Sequence, residues 1–231
     1  MHKYFYPGLS KLTAVLSVIA FFATDLKGQE ITAKEILSRS IQYHDPDGDW
    51  QSLKATFFFE ESRPDGSVRN TSMSLDNSIS YFTLNRGDEQ VYEVRENECE
   101  KAQGGDCSRG LMLRNYYTYL WGLPMKLTDP GTNLGEKVET KNIDDIPCHV
   151  LEVIYEKDTW HYFIRKDNFA LIAYEFYKNA DPTKGEFIST SGQYELGKLI
   201  LPNSRTWYQF PDNKLLGTDK LVNTSYEGND R

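Results

Sequence analysis

The sequence predicts an α+β domain in which successive antiparallel β-hairpins carry one N-terminal helix and one central helical segment. Three observations predict it. A capped amphipathic helical pattern occurs once near the start. Turn clusters then recur between short runs rich in Phe, Tyr, Val and Ile. No strand–helix–strand alternation appears, so the sheet is expected to be antiparallel and mostly sequential. Of the 231 residues 13% are aromatic, with 15 Tyr and 12 Phe, a bias towards strands.

Residues 1–28 read as a secretory signal peptide. Lys3 and Lys11 give a basic start, and Leu12 to Ala23 is an apolar run long enough for a signal core and too short to span a bilayer. Cleavage is expected after Gly28, with Ala23 as the alternative. No Cys lies near either position to carry the lipid of a bacterial lipoprotein, so the mature chain is expected to be free of an anchor, and residues 29–231 have the length of a single domain. The periplasm is the expected compartment, with extracellular release as the alternative. Losing three lysines and one aspartate takes the net charge from −8 to −10. An acidic chain without a basic block is no nucleic-acid binder, because that affinity rests on neutralising phosphates.

Residues 32–43 form the first helix. Thr32 is the N-cap, Glu35 completes a capping box, and Ile31 and Ile36 hold the staple positions. Ile36, Leu37 and Ile41 share a face. His44-Asp45-Pro46-Asp47-Gly48-Asp49 ends the helix. Turns follow at Arg63–Gly66, Asp76-Asn77, Arg86-Gly87-Asp88, Lys157-Asp158, Asp167-Asn168 and Pro211–Asn213. Leu111 to Trp121 is expected as a helix closed by Gly122, followed by an apolar lip, Leu123-Pro124-Met125, and a type II turn at Asp129–Thr132. One helix face cannot bury Tyr116, Tyr117, Tyr119, Leu120, Trp121, Leu123 and Met125 against one sheet. The segment is therefore enclosed on two sides or lines a cavity.

No motif for catalysis appears. Asp45, Asp47 and Asp49 start like a calcium loop, but Trp50 and Thr56 stand where Gly and Glu are required. A two-residue turn at Lys157-Asp158 pairs Val153 with Tyr162 and Leu151 with Ile164, and sends His149 and His161 to opposite faces. They cannot share a metal. Cys148 and His149 point apart likewise, which excludes a nucleophile–base pair. Cys99 and Cys107 flank a Gly-Gly loop and are expected to form a local disulfide, leaving Cys148 as a buried thiol. The hairpin of residues 146–177 is apolar on both faces: Leu151, Val153, Tyr155, Trp160, Tyr162 and Ile164 on one, and Val150, Ile154, Phe163, Ile172, Tyr174 and Phe176 on the other.

The order of elements, with Asp145-Ile146-Pro147, Val150-Leu151-Glu152-Val153, Trp160–Ile164, Leu171-Ile172 and Leu201-Pro202, resembles the LolA-like superfamily of periplasmic lipoprotein carriers and lipid-binding relatives. Tyr43-His44-Asp45-Pro46 and Leu120-Trp121-Gly122-Leu123-Pro124 resemble more closely an uncharacterised family of secreted Bacteroidota proteins. The resemblance implies a curved antiparallel half-barrel whose helices plug the concave side over an apolar cavity for acyl chains. The expected function is non-enzymatic binding of an acyl chain or similar apolar ligand, with no cofactor. Tyr116, Leu120, Trp121, Leu123 and Met125 are expected as lip and lining, and Trp160, Tyr162 and Ile164 as sheet wall. Two rivals are an envelope protein-interaction module, and a hydrolase or metal-dependent enzyme built on the Asp45–Asp49 turn.

Overall fold

The computed structural model describes residues 30–87 and 89–226. The expected signal peptide lies outside them. Thr32 caps the first helix, α1 (Ala33–His44), by accepting the Glu35 N–H at 3.2 Å, as the sequence predicts. The Glu35 carboxylate turns forward to Arg39 at 2.5 Å. The helix runs one residue beyond the expected end. Asp45 then accepts the N–H groups of Asp49 and Trp50 at 2.7 and 3.1 Å, which folds the turn into a 3-10 segment, Asp49–Ser52.

Five strands follow as a meander: β1 (Lys54–Ser62), β2 (Val68–Asp76), β3 (Tyr81–Arg86), β4 (Gln90–Arg95) and β5 (Glu98–Gln103). The second helix, α2 (Cys107–Trp121), leads into a 3-10 segment, Met125–Thr128. A second meander comprises β6 (Leu134–Ile143), β7 (Ile146–Ile154), β8 (Asp158–Arg165), β9 (Leu171–Lys178) and β10 (Gly185–Ser191). A small hairpin, β11 (Tyr194–Leu196) with β12 (Leu199–Leu201), precedes β13 (Ser204–Gln209) and β14 (Lys214–Tyr226). The large sheet has the order β5-β4-β3-β2-β1-β14-β13-β10-β9-β8-β7-β6, open at β5 and β6. Its described neighbours all pair antiparallel. The expected α+β half-barrel is therefore present.

Both helices lie on the inner, concave face, over two apolar clusters. One is built on β1–β4 and β14, with Phe57, Phe59, Met73 and Leu84. The other is built on β7–β10 and β13, with Leu151, Tyr162, Ile164 and Ile188. The α2 segment straddles them: Leu113, Tyr117, Trp121 and Met125 enter the first, and Leu120, Leu123 and Leu127 the second. That is how one short segment buries so many large side chains.

Three expectations need correction. α2 starts four residues earlier than the sequence suggests, because Asp106 caps it through the Arg109 N–H at 2.8 Å. Gly110 sits inside the helix where α2 crosses Tyr92, and a Cβ there would lie 3.0 Å from that ring. The β7–β8 loop is centred on Glu156-Lys157, one residue earlier than expected, which shifts the pairing by two. Val153 faces Trp160 and Leu151 faces Tyr162. Because the shift is even, every side chain keeps its expected face. Tyr174 and Phe176, however, pair with Tyr162 and Trp160 and so share the concave side, while Val150, Phe163 and Ile172 form an outer cluster with buried Cys148.

Gly122 closes α2 with φ −90°, a conformation open to any residue. Its role is close approach: a Cβ would lie 2.4 Å from Cζ2 of Trp50 and 2.5 Å from Cγ of Lys126. Gly122→Ala is therefore expected to cost about 1–3 kcal/mol through overpacking. Urea unfolding checks this, and the cost should shrink when Trp50 is also reduced to Leu; equal costs in both backgrounds would refute the packing account.

Candidate functional site on the concave face

On β1 the inward-facing residues run Ala55, Phe57, Phe59, and the next is Glu61. The same phase places Arg86 after Leu84 on β3, Asp219 two residues from Leu221 on β14, and Arg205 two residues from Trp207 on β13. All four charged residues are buried. Arg69 faces Glu61, Glu61 faces Asp219, and Asp219 faces Arg205, so a row of two acids flanked by two arginines crosses four strands.

Each carboxylate in the row has its own partners. Glu61 accepts from the Tyr117 hydroxyl and pairs with Arg69 and, at 3.7 Å, with Arg86. Arg86 also donates to the Tyr117 hydroxyl at 2.7 Å. Burial pushes Glu61 up, but Tyr117, Arg86 and Arg69 outweigh it and hold the carboxyl below its ordinary value. Asp219 accepts from the Trp207 indole at 3.2 Å and reaches Arg63 at 3.5 Å. Burial and the neighbouring Glu61 raise its pKa.

Arg205, like Glu61, is only 1% exposed. Its Nη2 donates to the Leu120 carbonyl of α2 at 2.7 Å, and its guanidinium lies 3.5 Å above the Trp121 ring. Its Nε and Nη1 have no hydrogen-bond partner among the described residues, and neither has the hydroxyl of Tyr174. Burial raises the Tyr174 pKa to about 12, and the adjacent Arg205 charge opposes that rise. No hydrogen bond of good geometry joins the two.

The residues expected as lining are brought together here, but as core. Leu120, Trp121, Leu123, Met125, Tyr162 and Ile164 are all buried, and Trp160 is half-buried against Phe176 at 4.7 Å. Tyr119 of α2 bonds the hydroxyls of Tyr155 and Tyr162 at 2.9 and 2.5 Å. Tyr116 is the most exposed of the expected lining residues, at 37%, and stacks on Trp207 at 5.6 Å. Beside it are two adjoining hollows of about 230 and 310 Å3, which share Arg63, Tyr116 and Asp219. The charged row, Arg205 above all, is what the sequence reading missed. A charge at an inward-phase position was its signal.

The rival site at the Asp45–Asp49 turn does not assemble. The His44 ring donates from Nδ1 to the Ile200 carbonyl at 2.6 Å and accepts the Leu171 N–H on Nε2 at 3.0 Å. Asp45 is committed to backbone N–H groups, and Asp47 pairs with Lys198. His161 lies between Glu152 and Glu175, while His149 stacks on Phe169 on the other face. Among the described residues no group of three or more His, Cys, Asp or Glu is placed to hold a metal ion.

His44 is thus a neutral cross-brace. Burial lowers its pKa from 6.5 to about 4. Its contribution is complete above pH 6.5 and is lost as pH falls through 4, because only the unfolded chain takes up the proton readily between those values. About 2 kcal/mol should disappear between pH 7 and pH 5. Urea midpoints at the two pH values should therefore converge in His44→Gln relative to the parent. An unchanged pH dependence would exclude this role.

Comparison with solved structures places the architecture among known folds. The chain is similar to a DUF1329 family protein from Desulfovibrio piger, with 11% identity over 84% of this chain and 92% of that one and a TM-score of 0.55. It is also similar to a LolA superfamily protein from Nitrosomonas europaea, with 12% identity over 86% and 94% and a TM-score of 0.49. A putative outer membrane lipoprotein-sorting protein domain from Vibrio parahaemolyticus gives 9% identity over 83% and 92%, with a TM-score of 0.49. At such identities the likeness concerns the fold. Comparison with curated proteins returns no match. Residues 14–224 match a family described as being of unknown function, and the chain belongs to that family, DUF6503.

Proposed function

We propose that this protein binds an acyl chain or similarly apolar ligand on the concave face beneath α2 and Met125–Thr128, as a non-enzymatic carrier or sensor in the periplasm. The observation that carries this reading is Arg205. A core that served stability alone would pair its buried donors. Here two guanidinium nitrogens and the Tyr174 hydroxyl find no hydrogen-bond partner among the described residues, within aromatic and aliphatic walls. Apolar walls with a few convergent polar groups are the chemistry of a small-molecule site, in which the polar groups orient the ligand. A chain that buries ten methylenes gains about 8 kcal/mol, against which the displacement of α2 side chains must be set.

The compartment reading rests on the basic start and apolar run of residues 1–28 and on the Cys99–Cys107 disulfide, which suits an oxidising environment. Among the described residues no helix is long and apolar enough to cross a membrane. A second reading, docking of an envelope protein, is favoured by the exposure of Met112 and Tyr116 side by side on α2.

Native mass spectrometry of protein purified without detergent should show an adduct of lipid mass that solvent extraction removes. Trp121 and Met125 are too deeply buried for charged substitutions to report on binding alone, whereas Tyr174→Phe separates the two roles. It deletes an unpaired buried hydroxyl, so stability should stay level or rise, while ligand affinity should fall roughly tenfold. A bare protein mass that lipid extract does not change would favour the docking reading instead.

A further inference from the structure

Four guanidinium groups converge where α2 crosses the ends of β1, β2 and β3. Arg63, Arg69, Arg86 and Arg109 line the hollow of about 230 Å3, with Glu61 and Asp219 beside them. In a chain of net charge −8, four cations here meet two carboxylates. Those carboxylates are already served: Glu61 by Arg69, Arg86 and Tyr117, and Asp219 by Trp207. Arg63 spends one nitrogen, Nη1, on the Ser62 carbonyl at 3.2 Å and on Asp219 at 3.5 Å, and its Nη2 reaches Glu61 only at 3.8 Å. The exposed Arg109 side chain makes no ion pair or hydrogen bond among the described residues.

An ion-pair network that served the fold alone would gain nothing from surplus cations, which repel one another. Guanidinium forks match the oxygens of carboxylate and phosphate. A carboxylate brings one charge and two oxygens. A phosphate monoester brings about −1.5 to −2 and three acceptor oxygens, which suits two under-used guanidinium groups and a local excess of two positive charges. The rim beside the hollow is apolar, with Met112 and Tyr116 exposed.

We propose that this hollow binds a phosphate group, as the head of an amphiphile whose chain lies on the concave face. The phosphate site stands on the arginines alone, and the amphiphile rests on the acyl-chain reading given above. Four ligands separate the two: palmitoyl lysophosphatidic acid; monopalmitoylglycerol, which has the same chain without phosphate; glycerol 3-phosphate, which has the head without the chain; and inorganic phosphate. Their affinities are measured by titration calorimetry below micelle-forming concentrations.

The phosphate-bearing lipid should bind at least about tenfold more tightly than monopalmitoylglycerol, with a preference that shrinks as salt is added. Arg109→Glu, on an exposed side chain that holds no partner among the described residues, should abolish the preference at an unchanged melting temperature and leave monopalmitoylglycerol binding as it was. Arg63→Gln should weaken the preference independently. Equal affinity for the two chain-bearing ligands, or a preference that survives both substitutions, overturns the phosphate site while the acyl reading stands. Binding of glycerol 3-phosphate or inorganic phosphate with no binding of either chain-bearing ligand upholds the phosphate site and overturns the amphiphile.

Discussion

One pairing, between β1 and β14, makes a single sheet out of two meanders. Ser62 and Thr218, which lie opposite each other in it, are 156 residues apart in the chain. Most other pairings join hairpin neighbours and form at short range, so this is where the topology carries its loop-closure cost. Without it, β1 and β14 would each be an exposed edge with unpaired N–H and C=O groups. With it, only β5 and β6 remain as edges of the large sheet among the described residues. The buried charges sit at this seam. Glu61 of β1 faces Asp219 of β14, two acids side by side, tolerable because Tyr117, Arg86 and Arg69 hold one and Trp207 and Arg63 the other.

The seam also explains why the C-terminal strand resists reading. A bulge between Phe58 and Phe59, opposite Asn223 and Leu221, changes the inward phase of β14. Thr224 and Tyr226 belong to the inner face before it, and Leu221 and Asp219 after it. No single period of two runs through residues 214–226. The helix start at Thr32, a hairpin turn such as Arg63–Gly66 and the Cys99–Cys107 pair depend on local chemistry and were legible. The face of each β7 and β8 side chain was legible too, since a slip of two leaves parity intact.

What could not be read was partnership across the sheet. Glu61, Arg86, Arg205 and Asp219 look like ordinary surface charges in a chain that is 26% charged. They become a site only through neighbours far along the chain. Strand parity does mark them, because each continues an inward apolar phase, but parity alone does not separate a buried charge from the last exposed residue of a strand. The aromatic density of residues 116–125 was visible, and its meaning was double. The same side chains that would meet a ligand are the filling of the core, so Trp121 and Met125 belong to both descriptions.

The disulfide between Cys99 and Cys107 joins the edge strand β5 to the first residue of α2. The far end of the helix has no covalent tie of this kind and is held by packing and by the Arg205 bond to the Leu120 carbonyl. Any departure of α2 from the sheet is therefore a swing about a fixed pivot rather than a detachment. A 15-residue helix is about 22 Å long, so a rotation of about 15° raises its far end by about 6 Å and leaves its first turn almost in place. Such a lever would uncover the Trp121–Leu127 end first, while Arg109, near the pivot, would keep its place beside the other arginines.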